Sequence, residues 1–256
     1  MGAKIRVGAL ISGGGTNLQA IIDSCESGAI DGEMVFVGTD NPEAKGLQRA
    51  DKHGIPSFVV DYGAIIRSYR KNPQSIEMPA DFNYERIAAR QTLLPADTPE
   101  ARLQAFVRTR VCAEAALIEK MAATPFDLLV LAGFMRNMTP YFIDHINTDP
   151  DLPRIMNIHP ALLPSFPGVD GYGDTFSYGC KVGGCTVHFI DYGEDSGPVI
   201  GQRAFPIEDG YDLDRVKEVG LEQEWILYPA CIQLFAEGRL RLERREGRRT
   251  VVRSDG

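Results

Sequence analysis

The chain has 256 residues, 44% of them apolar and 24% charged, with a formal net charge of -8. That content can bury one large or two modest cores. The acidic balance excludes a general electrostatic footprint for nucleic acid, and no apolar run reaches the roughly 18 residues that span a bilayer.

The first residues lead straight into a strand and carry no signal-peptide pattern, so a cytoplasmic location is expected. The five cysteines are odd in number and contain no CxxC pair, which favours free thiols over disulfides or zinc. A nearly continuous apolar run at 5–11 reads as a buried parallel strand. A Gly-rich turn follows, then a helix over 17–27, a strand over 34–38, a helix over 42–53 and a strand over 57–60. Residues 67–123 break this rhythm. Loops are expected at 71–73 and 78–79, a short helix at 83–92, and a longer helix from Thr98-Pro99-Glu100 to about 121.

Strands at 126–132 and 154–158 resume the alternation. A Gly- and aromatic-rich loop over 166–174 follows. Strands at 184–191 and 197–207 come next, then a helix over 212–237 that Pro229 should kink or divide. The Arg-rich stretch 239–253 alternates with apolar residues and reads as a solvated hairpin rather than a nucleic-acid site. This order predicts an α/β fold: a doubly wound, Rossmann-like open sheet, mostly parallel, with C-terminal strands and a long helix. The C-terminal strands are expected to extend the same sheet. No linker-like stretch divides the chain, so 1–256 reads as a single domain with halves at about 1–150 and 151–256.

Three motifs carry chemistry. Ser12-Gly13-Gly14-Gly15-Thr16-Asn17 lies between a strand and a helix, where backbone N–H groups and the helix N-terminus favour an anion. No Lys follows, as a Walker loop requires, and Leu18 stands where a dinucleotide fingerprint needs Gly. The phosphate of a small substrate is the preferred ligand, although Asp40 at the end of the second strand keeps a nucleotide reading open. Asn157 and His159 are two apart in a strand and share a face. With Asp195 they give an amide donor, an imidazole and a carboxylate, a set suited to direct acyl transfer without a covalent intermediate. His188, in mid-strand, reads as structural. Ala132-Gly133-Phe134-Met135-Arg136 ends another strand, where it would suit a flat ligand with an acidic tail.

These segments, with Asn157-Ile158-His159-Pro160-Ala161-Leu162-Leu163-Pro164, Phe166-Pro167-Gly168, Asp195-Ser196-Gly197-Pro198 and Glu224 before Tyr228-Pro229, resemble the phosphoribosylglycinamide formyltransferases. The resemblance runs to about residue 240 and skips roughly 67–113, which reads as an insert. It implies formyl transfer from 10-formyltetrahydrofolate to glycinamide ribonucleotide, with no metal, no nucleic acid and a monomer or homodimer. Gly13, Gly14, Gly15, Thr16 and Asn17 would hold the phosphate, and Glu224 the ribose. Phe134, Met135, Arg136, Asn137, Met138, Asp191 and Asp195 would surround the folate.

In the implied chemistry Asn157 donates to the developing oxyanion. A protonated His159 stabilises the same charge, and Asp195 raises its pKa. Departures from the family pattern are the insert, the 168–184 loop, Asn137 in place of an apolar residue and Trp225 in place of a His. The alternatives are a formyltransferase acting on another amine, a 10-formyltetrahydrofolate hydrolase, and a non-catalytic folate- or nucleotide-binding protein.

Overall fold

The computed structural model describes residues 4–254 except 245 and 248. One seven-stranded sheet forms its centre, in the order β3-β2-β1-β4-β5-β6-β7. Strands β1 (Ile5–Ile11), β2 (Gly32–Thr39), β3 (Ser57–Val59), β4 (Leu128–Leu131) and β5 (Ile155–His159) pair in parallel. β6 (Val182–Phe189) and β7 (Val199–Pro206) add on antiparallel. The expected α/β sheet is therefore present.

Alternation along β1 explains its double burial. Val7, Ala9 and Ile11 face a core shared with helices α1 (Thr16–Ser27) and α8 (Leu213–Ala236). Leu10 faces a second core with α5 (Glu100–Ala122) and α6 (Pro140–Ile146). Each fully buried Leu, Ile or Phe contributes about 1.5–3 kcal/mol. The buried Tyr228 hydroxyl on α8 bonds the carbonyls of Met156 (2.7 Å) and Leu131 (3.2 Å), tying the helix to the ends of β4 and β5.

Several elements differ from the sequence reading. Helix α2 spans Gly46–Lys52 only, because the Asn41 side chain accepts from the Glu43 N–H and turns the chain before it. Helix α3 (Tyr62–Lys71), capped by Asp61, was not expected. Nor was α6, which Thr139 caps. Helix α4 (Tyr84–Arg90) and α5 fall where the sequence put them. The expected 166–174 loop instead leads into helix α7 (Gly171–Ser177), with Asp170 accepting from the Gly173 N–H. Pro229 does not divide α8.

The Arg-rich tail forms a two-stranded antiparallel hairpin, β8 (Leu240–Glu243) and β9 (Val251–Ser254). It is a separate sheet rather than an extension of the main one. Arg245 and Arg248 of that stretch lie outside the described residues. Among the described residues no helix is long and apolar enough to cross a membrane.

Strand order reverses at β1, which has β2 on one side and β4 on the other. Open α/β sheets bind ligands in the crevice beyond the carboxyl ends of the strands at such a point. The segments that follow β1, β4 and β5 all converge there.

Candidate active site

Asn157 and His159 project from one face of β5, while Met156 and Ile158 pack into the α1–α8 core. Asn157 lies opposite His188 in the β5–β6 register, and its amide nitrogen is 3.2 Å from His188 Nε2. Past β5 the chain is pinned by the buried Thr186 hydroxyl, which donates to the Ala161 carbonyl (2.7 Å) and accepts from Leu163 N–H (3.0 Å). Phe166 then takes a positive φ of 54°. That turn aims its carbonyl at His159 Nε2, 2.7 Å away. Asp195, also at positive φ (48°), brings its carboxylate 3.2 Å from His159 Nδ1. The same carboxylate accepts from Gly168 N–H at 2.8 Å and lies 3.6 Å from His188 Nε2. The three expected catalytic side chains are thus together, and His188 joins them. Its mid-strand position hid this contact.

Asp195 acts to raise the His159 pKa, as expected, but the net direction is down. Burial pushes it below the usual imidazole value, and the neighbouring Asp195 and the Phe166 carbonyl only partly offset that. A charge costs more to hold in a desolvated site than one carboxylate restores. Burial also acts to raise Asp195, but hydrogen bonds from His188 and Gly168 outweigh it and keep the carboxylate ionised to lower pH. Both His159 nitrogens face acceptors, so either neutral tautomer leaves one nitrogen facing an acceptor without a proton between them.

A cleft of about 340 Å³ opens in front of this group. At one end are Asn17, Tyr172 and Glu224. The Asn17 amide donates to Glu224 (2.6 Å), and the Tyr172 hydroxyl donates to the other oxygen (2.7 Å). All three residues are buried. Burial raises the Glu224 pKa against the two hydrogen bonds that lower it. Asn17 Oδ1 is buried with no hydrogen-bond partner among the described residues, an arrangement that costs about 1–3 kcal/mol.

Tyr172 was missed in the sequence because two glycines beside it disguise α7. The Asp170-x-x-Gly173 cap was the available signal. Gly220 on α8 makes the contact possible, since a Cβ there would lie 2.2 Å from the Tyr172 ring. Of the five glycine-loop residues only Asn17 lines the cleft. Gly13, Gly14 and Thr16 are exposed at the head of α1, and Gly15 is buried. Gly15, at φ 69°, starts the helix without a side-chain cap, and no acidic residue sits in the first turn. Its N-terminal N–H groups therefore have no carboxylate competitor.

At the other end are Phe134, Met135 and Asn137, which line the cleft. Buried Met138 and half-buried Asp191 line a narrower recess of about 50 Å³ beside Phe134 and Asp195. Asn137 donates to Glu194 at 3.0 Å across the mouth. Arg136 also borders the recess, but its guanidinium is committed elsewhere: it pairs with buried Asp40 at 2.5 Å and stacks over Tyr62. The Asp191 carboxylate accepts from Gly193 N–H and from the Ser196 hydroxyl, so it shapes its own loop. Asp40, kept open as a ribose contact, is instead the Arg136 partner. Among the described residues no group of three or more His, Cys, Asp or Glu side chains could hold a metal ion.

The formyl transferase family model matches residues 5–232. The phosphoribosylglycinamide formyltransferase of Haemophilus influenzae is 32% identical over 93% of this chain and 90% of its own length. That of Escherichia coli K12 is 32% identical over 91% and 88%. The crystal structure of glycinamide ribonucleotide transformylase 1 from Symbiobacterium toebii superposes with a TM-score of 0.75 at 36% identity. It covers the whole of this chain and 96% of that one. With its cleft at the β1/β4 switch point and the Asn157, His159 and Asp195 side chains gathered there, the chain belongs to the formyl transferase family and, within it, to the phosphoribosylglycinamide formyltransferases.

Proposed function

We propose that the protein transfers the formyl group of 10-formyltetrahydrofolate to the amine of glycinamide ribonucleotide, a step of purine biosynthesis. The observation that carries this reading is the two-ended cleft, with Asn157, His159 and Asp195 between a buried polar end and an aromatic, loop-built end. The polar end fits the acceptor. Asn17 Oδ1 lacks a donor that a ribose hydroxyl or amine would bring, Glu224 faces the ribose, and the head of α1 from Gly13 to Asn17 takes the phosphate. The other end fits the donor's flat ring, with Phe134, Met135, Asn137 and Met138 on one side and the 191–195 loop on the other. Arg136 frames that end through Asp40.

In this mechanism the amine attacks the formyl carbon directly. The Asn157 amide donates a hydrogen bond to the oxygen as it gains charge. His159 starts neutral; Asp195, which lines the cleft, passes it the proton leaving the amine, and the imidazolium formed is paired with Asp195 and the Phe166 carbonyl. The proton then passes to the departing folate nitrogen, so the ring returns to its starting state. No residue becomes acylated. The chain acts as one formyltransferase domain on small molecules in the cytoplasm, as a monomer or homodimer, with the phosphate-binding half at about 1–150 and the catalytic half at about 151–256.

The test is a transfer assay with 10-formyl-5,8-dideazafolate, followed optically with and without glycinamide ribonucleotide. Acceptor-dependent turnover is expected. Turnover that ignores the acceptor would make the protein a hydrolase, and donor binding without turnover would mean another amine is its substrate.

A further inference from the structure

The segment 67–113, which the sequence left without a role, reaches the donor end of the cleft. At the C-terminus of α4, Arg90 forms a two-pronged pair with Asp144 on α6, at 2.5 and 3.2 Å. The Tyr192 hydroxyl donates to the same carboxylate at 2.6 Å. Arg90 also donates to that hydroxyl, and its guanidinium lies over the Tyr192 ring, 4.6 Å from the centroid. Arg86 adds a further bond to Asp144 at 3.1 Å. Two residues past Arg90, the Thr92 hydroxyl donates to the Tyr192 backbone carbonyl at 2.8 Å. Leu93 then forms part of the wall of the recess beside Phe134 and Asp195.

Tyr192 lies in the loop that carries Asp195 at positive φ. Within the loop, Asp191 holds Gly193 and Ser196. Gly193 sits close under Thr92, whose hydroxyl would be 3.5 Å from a Cβ at that position. Across the mouth the loop has one exposed bond, Asn137 to Glu194. The Tyr192 stretch of its backbone is held from behind by Thr92, while the Asp195 end is held across the cleft by the Gly168 N–H. A bidentate Arg pair with a stacked ring has geometric specificity that a point charge lacks.

We propose that Arg90 and Thr92 are positioning residues for the donor: acting through Tyr192 and Asp144, they hold the 191–195 loop in the shape that receives the folate ring, and Leu93 supplies one wall of that site. The inference rests on the formyl-folate reading of the recess. It makes the segment part of the donor site and leaves the acceptor end untouched, because Asn17, Tyr172 and Glu224 contact none of these groups.

The experiment measures two quantities on the full chain and on Arg90→Met, Arg90→Lys and Thr92→Val. One is the KM for each substrate in the transfer assay. The other is the Kd for 10-formyl-5,8-dideazafolate by calorimetry, which needs no turnover. Arg90→Met is expected to raise the donor KM and Kd about tenfold while the acceptor KM stays within about twofold. Arg90→Lys should recover only part of this, since it restores the charge without the fork. Thr92→Val, close to isosteric and safe for folding, should raise the donor values about threefold.

Donor values within twofold of the parent in both Arg90→Met and Thr92→Val would overturn the proposal. So would equal increases for donor and acceptor, which would indicate general loosening. If the parent binds the folate analogue yet does not turn over, the acceptor assignment fails while the calorimetric comparison still decides this proposal. If the parent binds no analogue, both readings fall.

Discussion

The two ends of the cleft are built differently. The acceptor end rests on regular elements: Asn17 in α1, Tyr172 in α7 and Glu224 in α8, all buried and bonded to one another. The donor end is made of the segments after β4 and β6, with Met135, Asn137 and Glu194 exposed. Its shape is held by Arg90 and Thr92 from behind. The polar end is thus held by bonds among its own side chains, and Asn17 Oδ1 has no hydrogen-bond partner among the described residues. The other end depends on side-chain braces that lie outside the cleft. Substitutions should therefore separate the two substrates, and the chemistry between them should respond to neither alone.

The largest effect belongs to the middle. Asn157→Ala should lower kcat about 10²–10³-fold, the usual cost of one oxyanion donor. Both KM values should stay near those of the parent, since the bond strengthens only as charge develops. A drop of less than about tenfold in single-turnover transfer would place the developing oxyanion elsewhere. Next in size is Glu224→Gln. One of its two donors, Asn17 or Tyr172, would face an NH₂ group in a buried site. That costs about 1–3 kcal/mol, or roughly 5–150-fold in acceptor KM. The donor KM should not move, the mirror image of Arg90→Met. If both KM values rise together, the two ends are coupled and the division drawn above is wrong.

The pH profile sharpens the middle further. Because burial lowers the His159 pKa, the neutral ring should dominate at neutral pH, and kcat/KM should fall only as pH drops below the ordinary imidazole value. Asp195 is the charge that opposes burial. Asp195→Asn should therefore move this acid limb to still lower pH in the residual activity, besides lowering kcat. Activity that instead falls as pH rises through the imidazole range would restore the standing-imidazolium mechanism that the sequence suggested.

What could be seen in the sequence follows from how each part is specified. Asn157, His159 and the parallel strands were legible because a period of two and doubly buried apolar runs fix faces locally. The grouping of Asp195 with His159 rested on residue chemistry and the family pattern rather than on any local period, since the two are far apart in the chain. The direction of the His159 pKa was not legible at all. It depends on how much protein surrounds the ring, which no motif states. Tyr172 was hidden because Gly171 and Gly173 lower the helix signal. Yet a Cβ at Gly171 would meet the Pro160 carbonyl, and one at Gly173 the Asp170 carboxylate that caps the helix. The commitment of Arg136 to Asp40 was hidden because it joins the ends of β2 and β4, neighbours of β1 that share no sequence proximity.

The smallest expected effect concerns how the donor end is anchored. Glu114 on α5 is fully buried and accepts from the Thr139 N–H at 2.7 Å and from its hydroxyl at 2.5 Å, holding the start of α6 just after the 133–138 segment. Burial pushes its pKa up to about 7, although the Thr139 bonds act to lower it. The sign follows from proton counting. In the unfolded chain the group titrates near 4.5, while the folded protein keeps the proton to about 7. Between those values the native state binds more protons, so its stability falls as pH rises. Glu114→Gln mimics the protonated form and cannot ionise. Its melting temperature should match the parent near pH 5 and exceed it by a few degrees at pH 8, at about 2–4 °C per kcal/mol for a chain of this size. The acceptor end also holds a buried carboxylate, Glu224, but Glu224→Gln should lose acceptor affinity at every pH. Parallel melting curves across pH for parent and Glu114→Gln would mean that this carboxylate is already ionised at pH 5, and that the donor end is anchored by a charge rather than by a proton.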